Sequence, residues 1–154
     1  MKIFIVCSKS FYTKVEYIKQ ELEEKGHTII VPNLYEERAK EVEPESTAWR
    51  FGQTEHIKFK KNMYKMSREK IKNVDALLVL NFDKENKKNY IGGATFLEMH
   101  NAFLENKKIY LFNDIPQGDL YDEIHGFEPT IINGNLDLIK GVRICIILIL
   151  GHQR

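Results

Sequence analysis

A chain of 154 residues is long enough for one domain with a real core, since a domain of that size buries roughly 68 to 70% of the surface its unfolded chain exposes. Lysine and arginine total 23 and aspartate and glutamate 22, a net charge of +1, so no global field recruits nucleic acid or a membrane surface and a small-molecule partner is expected. The two cysteines, Cys7 and Cys145, sit in apolar runs at opposite ends, which suits buried thiols in a reducing cytoplasm and argues against a disulfide framework.

Residues 2–7 (KIFIVC) form a continuous apolar run rich in β-branched side chains. No basic and apolar leader precedes it, so a buried strand is expected and secretion is not. Val15, Ile18 and Leu22 give helical spacing to residues 12–25, and Gly26 stops that helix. Residues 28–31 read as a second strand ended by Pro32. A charged insertion follows over 34–53, either a solvated loop or a lid, with Trp49, Arg50 and Phe51 as its anchor. A helix is expected over 54–72. Its lysines and Arg68 make a solvated face more simply than a nucleic-acid surface, because Phe59, Met63, Tyr64, Met66 and Ile71 suffice for a packed stripe.

Residues 76–82 and 108–112 are two more apolar runs without alternation, the signature of strands buried on both faces. A helix over 94–106 lies between them. The apolar tail, about 141–154, contains a run at 144–150 that is far shorter than the roughly 20 residues a bilayer requires. It reads as a covered edge or a subunit interface. Alternating strands and helices give an α/β fold over 1–154. A flavodoxin-like or Rossmann-like doubly wound parallel sheet of about five strands, order 2-1-3-4-5, is expected.

In that order ligand binds at the carboxyl ends of the first and third strands, where the loops are 7–11 and 81–90. Ser8, Lys9 and Ser10 offer hydroxyls, an ammonium and backbone N–H groups to a phosphate, or are simply turn residues. Asn81 and Asp83 can bind ribose hydroxyls or position an acid, and Tyr90 lies on the same loop; Asn113 repeats the strand-end placement. Gly92 and Gly93 let backbone approach a ligand at a helix N-terminus. Glu98, near the helix start, would be kept ionised by the dipole. An ionised carboxylate can attack an anomeric carbon and form a covalent sugar intermediate, although a glutamate there also serves as a plain dipole complement. Walker and dinucleotide patterns are absent, the first loop lacks the Ser, Thr and Gly run of a flavin site, and the histidines and cysteines have no metal-ligand spacing, so neither cofactor nor metal is expected.

The strings DALLVLNFD, YIGGATFLEM with Ala102, and KKIYLFN resemble the nucleoside 2-deoxyribosyltransferase superfamily and its deoxynucleoside monophosphate N-glycosidase branch, over about residues 1–139. The nearest resemblance is to a subgroup with a YIGG-x-T-x-x-E signature. It implies an often oligomeric domain that cleaves the N-glycosidic bond of a deoxynucleoside or its 5′-monophosphate. Glu98 takes the place of the nucleophile and Ser8 that of a phosphate-holding hydroxyl. Departures are specific. Phe4 stands where a tyrosine is usual, Cys7 where a glycine is common, and Gly92 where the transferase branch has an aspartate ahead of its Gly-Thr pair. Ser67 falls where the long helix supplies an acid, with Glu69 or Asp83 as substitutes. The alternative is a nucleotide-binding or sensor module of the same fold without turnover.

Overall fold

The computed structural model describes residues 1–38 and 54–141. The proposed anchor Trp49, Arg50 and Phe51, most of the charged insertion, Cys145 and the apolar run of the tail lie outside the described residues.

Strands β1 (Lys2–Cys7), β2 (Thr28–Ile30), β3 (Ala76–Leu80), β4 (Lys108–Leu111) and β5 (Thr130–Ile131) form one parallel sheet in the order β2-β1-β3-β4-β5. This is the expected α/β arrangement. The helices are α1 (Tyr12–Glu24), α2 (Tyr35–Arg38), α3 (Thr54–Lys72), α4 (Gly93–Leu104) and α5 (Tyr121–Gly126), with short 3-10 turns at Lys9–Phe11 and Leu136–Leu138. The apolar runs behaved as parallel strands because they are covered on both sides: every residue of β3 is buried.

Alternation across the pleat divides the core into two layers. Ile3, Ile5, Ala76, Leu78 and Leu80 meet Val15, Ile18 and Leu22 of α1 on one face. On the other, Phe4, Val6, Leu77 and Val79 meet Ile71 of α3, Met99 and Ala102 of α4 and Ile124 of α5. Helix α1 ends as its sequence requires. Gly26 takes φ +85°, while its N–H and that of His27 bond back to the Glu23 and Leu22 carbonyls.

Element ends differ from the sequence reading by one or two residues. Strand β3 stops at Leu80, not at 82, because Asn81 turns its side chain onto the next loop. The first residues of the insertion form the single turn α2, where Tyr35 meets Tyr12 edge-on at 5.2 Å between ring centroids. The two-residue β5 is too short to show periodicity. No helix among the described residues is long and apolar enough to cross a membrane.

Candidate active site at the carboxyl end of the sheet

Helix α4 places Glu98. Gly92 is its N-cap, so Glu98 lies in the second turn rather than the first, beyond the reach of most of the dipole's effect. The carboxyl is accordingly not held ionised as the sequence reading expected: burial pushes it up to about 7, opposed by the hydrogen bond from Ser67 and by the charges of Lys60 and Lys70. Thr95 is buried in the first turn and makes no cap.

Helix α3 supplies the partner. Met63, Ser67, Lys70 and Ile71 share the helix face turned to the protein, while Lys58, Lys61, Lys65, Arg68 and Lys72 are exposed. Ser67 Oγ donates to Glu98 Oε1 at 2.6 Å. Ser67 in turn accepts from Asn33 Nδ2 at 2.8 Å, and the same Nδ2 also donates to the Met63 carbonyl at 3.1 Å. Asn33 and Ser67 are each 4% exposed. Lys70 bonds the Val31 carbonyl at 3.2 Å and lies 5.3 Å from the centroid of the Phe4 ring. Burial lowers its pKa, and the nearby Glu98 charge opposes that shift. Cys7, at the end of β1, has its thiol pushed well above the usual range by burial and by Glu98.

The first and third loops meet beside this group. Lys84 Nζ reaches Ser8 Oγ at 3.5 Å, and Ser8 and Ser10 hydroxyls are also 3.5 Å apart, at the outer limit of hydrogen bonding. Lys9 is half-buried in the 3-10 turn that follows. Lys84 and Lys87 exchange both backbone bonds at 2.9 Å across a tight turn with Glu85 at φ 52°. Both ammonium groups lie over the Tyr90 ring, 4.9 and 5.7 Å from its centroid. Tyr90 packs on Gly92, where an added Cβ would fall 3.1 Å from its hydroxyl. Gly93 opens α4 and a Cβ there would meet nothing within 4 Å, so only Gly92 is required by close approach.

Three expected ligand groups are occupied elsewhere. Asn81, fully buried, donates to the carbonyls of Asn113 and Asp114 at 3.2 and 2.8 Å and accepts the Asn113 N–H at 2.8 Å. Asn113 returns a bond from Nδ2 to the Asn81 carbonyl at 3.1 Å. The pair clamps the ends of β3 and β4, and Asn81 has no amide hydrogen left for a sugar. Asp83 is exposed, and its carboxylate closes its own loop by accepting the Asn89 N–H at 2.9 Å. Glu69, the other substitute acid, is exposed on α3 and pairs with Lys72 at 3.4 Å.

Asn33 and Lys84 were not singled out by sequence. Asn33 follows Pro32 at a strand end and looks like any turn asparagine, and Lys84 is one of several lysines in a polar loop. Among the described residues, no group of three His, Cys, Asp or Glu is placed to hold a metal ion.

No family model matches the chain, and no curated protein matches it. Solved structures similar to the chain include the following two. A 2-deoxyribosyltransferase from Bacillus psychrosaccharolyticus is 24% identical over 72% of this chain and 71% of that one, with a TM-score of 0.45. The Clostridium botulinum CMP N-glycosidase BcmB is 15% identical over 85% of each chain, with a TM-score of 0.49. Neither overlap bears on which atoms react.

Proposed function

We propose that the chain is an N-glycosidase or deoxyribosyltransferase for a small deoxynucleoside or nucleoside 5′-monophosphate, with Glu98 as nucleophile. The observation that carries this reading is the 2.6 Å bond from Ser67 to Glu98, which holds a half-buried carboxylate by one oxygen beside the carboxyl ends of β1 and β3. In the ionised form the second oxygen attacks C1′, the N-glycosidic bond breaks, and its electron pair leaves with the base, which takes a proton from water. Water or a second base then attacks C1′ and releases Glu98. The Ser8, Ser10 and Lys84 corner supports a 5′-phosphate by hydroxyl and ammonium donors. The sequence resemblance points the same way, with Glu98 and Ser8 in its nucleophile and phosphate positions.

A binding module of the same fold without turnover is the second reading. Phe4 favours it: in the place of a tyrosine it offers no hydroxyl, and its ring is fully buried in the core. Incubation of the protein with a panel of deoxynucleosides and monophosphates, with and without an acceptor base, separates the two. Release of free base that disappears in Glu98→Ala is the result expected for the enzyme. Ligands that raise the melting temperature while no base is released would favour the module, and equal release by Glu98→Ala would remove Glu98 from the chemistry.

A further inference from the structure

We propose that Asn33 and Ser67 form a one-way relay that fixes Oε1 of Glu98 as a hydrogen-bond acceptor and leaves Oε2 as its reacting oxygen. The inference rests on Glu98 being the reactive group.

Direction follows from counting hydrogens. Asn33 Nδ2 touches two acceptors, the Met63 carbonyl at 3.1 Å and Ser67 Oγ at 2.8 Å. A peptide carbonyl has no hydrogen to give, so only the amide NH2 can face Met63. The opposite amide orientation would set Oδ1 against that carbonyl oxygen. With Asn33 thus locked as donor, one lone pair of the Ser67 hydroxyl is filled, and its single hydrogen is free for Glu98 Oε1 at 2.6 Å. The carboxyl therefore remains an acceptor at Oε1 in both protonation states, and any proton it carries sits on Oε2. Among the described residues, Oε2 takes no hydrogen bond.

The arrangement is held at a cost. Among the described residues, Asn33 Oδ1 is buried without a partner, a penalty that native structures seldom leave without a reason. Leu34, the next residue, has φ 53°, in the left-handed region that a branched side chain rarely occupies. An orphan acceptor and a strained residue thus stand side by side at the one donor that decides where the Ser67 hydrogen points.

The groups that face Glu98 electrostatically are Lys60 and Lys70 from α3, which favour its charged form, and the Cys7 thiol at the end of β1. Loss of the Ser67 bond leaves these unchanged, so its effect is separable. The Glu98 carboxyl is followed by 13C NMR titration in protein labelled at glutamate, compared across wild type, Ser67→Ala, Ser67→Thr and Asn33→Asp. Ser67→Ala is expected to raise the Glu98 pKa, and Ser67→Thr, which keeps a hydroxyl, to restore it. Asn33→Asp turns the donor into an acceptor that draws the Ser67 hydrogen away, and it is expected to raise the Glu98 pKa at least as far. If Asn33→Asp fails to fold, the Ala and Thr pair at residue 67 still decides.

Base release gives a second readout. Ser67→Ala is expected to lose about 10- to 100-fold at pH 6 and much less at pH 8.5, as befits a hydrogen bond to a charged group. An unchanged Glu98 titration in Ser67→Ala overturns the relay even where the protein is active. A raised pKa in a protein that releases no base supports the relay and counts against the catalytic reading alone.

Discussion

Ser67 on α3 lies 2.6 Å from Glu98 on α4, yet the carboxyl still titrates near 7, because burial outweighs the bond and the charges of Lys60 and Lys70 together. The unfolded chain loses that proton near 4.5. Between these values the folded state holds a proton that the unfolded state has lost, so stability falls as pH rises through the window. The contribution is complete below about 4.5 and gone above 7, and its upper size is on the order of 3 kcal/mol. Glu98→Gln keeps the Ser67 bond and removes the ionisation. It is expected to match wild type at pH 5 and to exceed it at pH 8 by about 1 to 3 kcal/mol in urea unfolding. Equal gains at both pH values would mean that the carboxyl is not perturbed.

The same titration sets the direction of any pH profile. Attack on C1′ needs ionised Glu98, so kcat/KM for base release is expected to rise tenfold per pH unit below about 7 and to level above it. A rate that is flat from pH 5 to 8 would exclude Glu98 as the group whose ionisation controls reaction.

Asn81 ties the ends of two strands together, and its removal should register as stability rather than affinity. Asn81→Ala strands the Asn113 N–H and two carbonyls that the side chain now satisfies. A loss of about 2 to 4 kcal/mol is expected, against about 1 kcal/mol for Asn113→Ala, whose side chain makes the single 3.1 Å bond. A ligand-binding defect in Asn81→Ala with unfolding free energy unchanged would restore it to the sugar site.

Much of this could be read from the sequence, for definite physical reasons. Runs such as 76–80 and 108–111 lack alternation because helices cover both faces of a parallel sheet, and that pattern is visible in one dimension. The positions of Glu98 on the helix after the glycine pair and of Ser8 after β1 could also be read. What could not be read is pairing. Ser67 stands in a lysine-rich helix and Asn33 in a Pro-Asn turn, 34 positions apart, and only folding brings them to 2.8 Å. Burial of Glu98 was equally invisible, so the sequence reading gave the dipole a role that the second-turn position does not support.

The glycine pair divides into one residue with a packing role and one without. At Gly92 an added Cβ would lie 3.1 Å from the Tyr90 hydroxyl and 3.4 Å from its ring, so Gly92→Ala must displace Tyr90 by a few tenths of an ångström. Tyr90→Phe removes the nearest atom, and the double variant is expected to recover part of the loss, a coupling readable in a double-mutant cycle of unfolding free energies. Gly93 meets nothing and has no positive φ. Gly93→Ala is expected to stabilise by about 0.4 to 1 kcal/mol through the unfolded chain, which loses conformational freedom. A larger penalty at residue 93 than at 92 would contradict this division.

Lys84 offers the sharpest distinction between nucleoside and monophosphate substrates. Its ammonium sits between Ser8 Oγ at 3.5 Å and the Tyr90 ring at 4.9 Å, on a turn closed by two backbone bonds, so its position is fixed by both neighbours and backbone. A phosphate entering beside Ser8 would replace a long ammonium–hydroxyl contact with an ion pair. Lys84→Met keeps the stem over Tyr90 and deletes the charge. For a monophosphate substrate KM is expected to rise about 10- to 100-fold, with little change for the parent nucleoside. Added salt should narrow the wild-type preference, since the corner is open to solvent. Equal effects of Lys84→Met on both substrates would mean that the ammonium only packs on Tyr90 and that the phosphate, if bound, lies elsewhere.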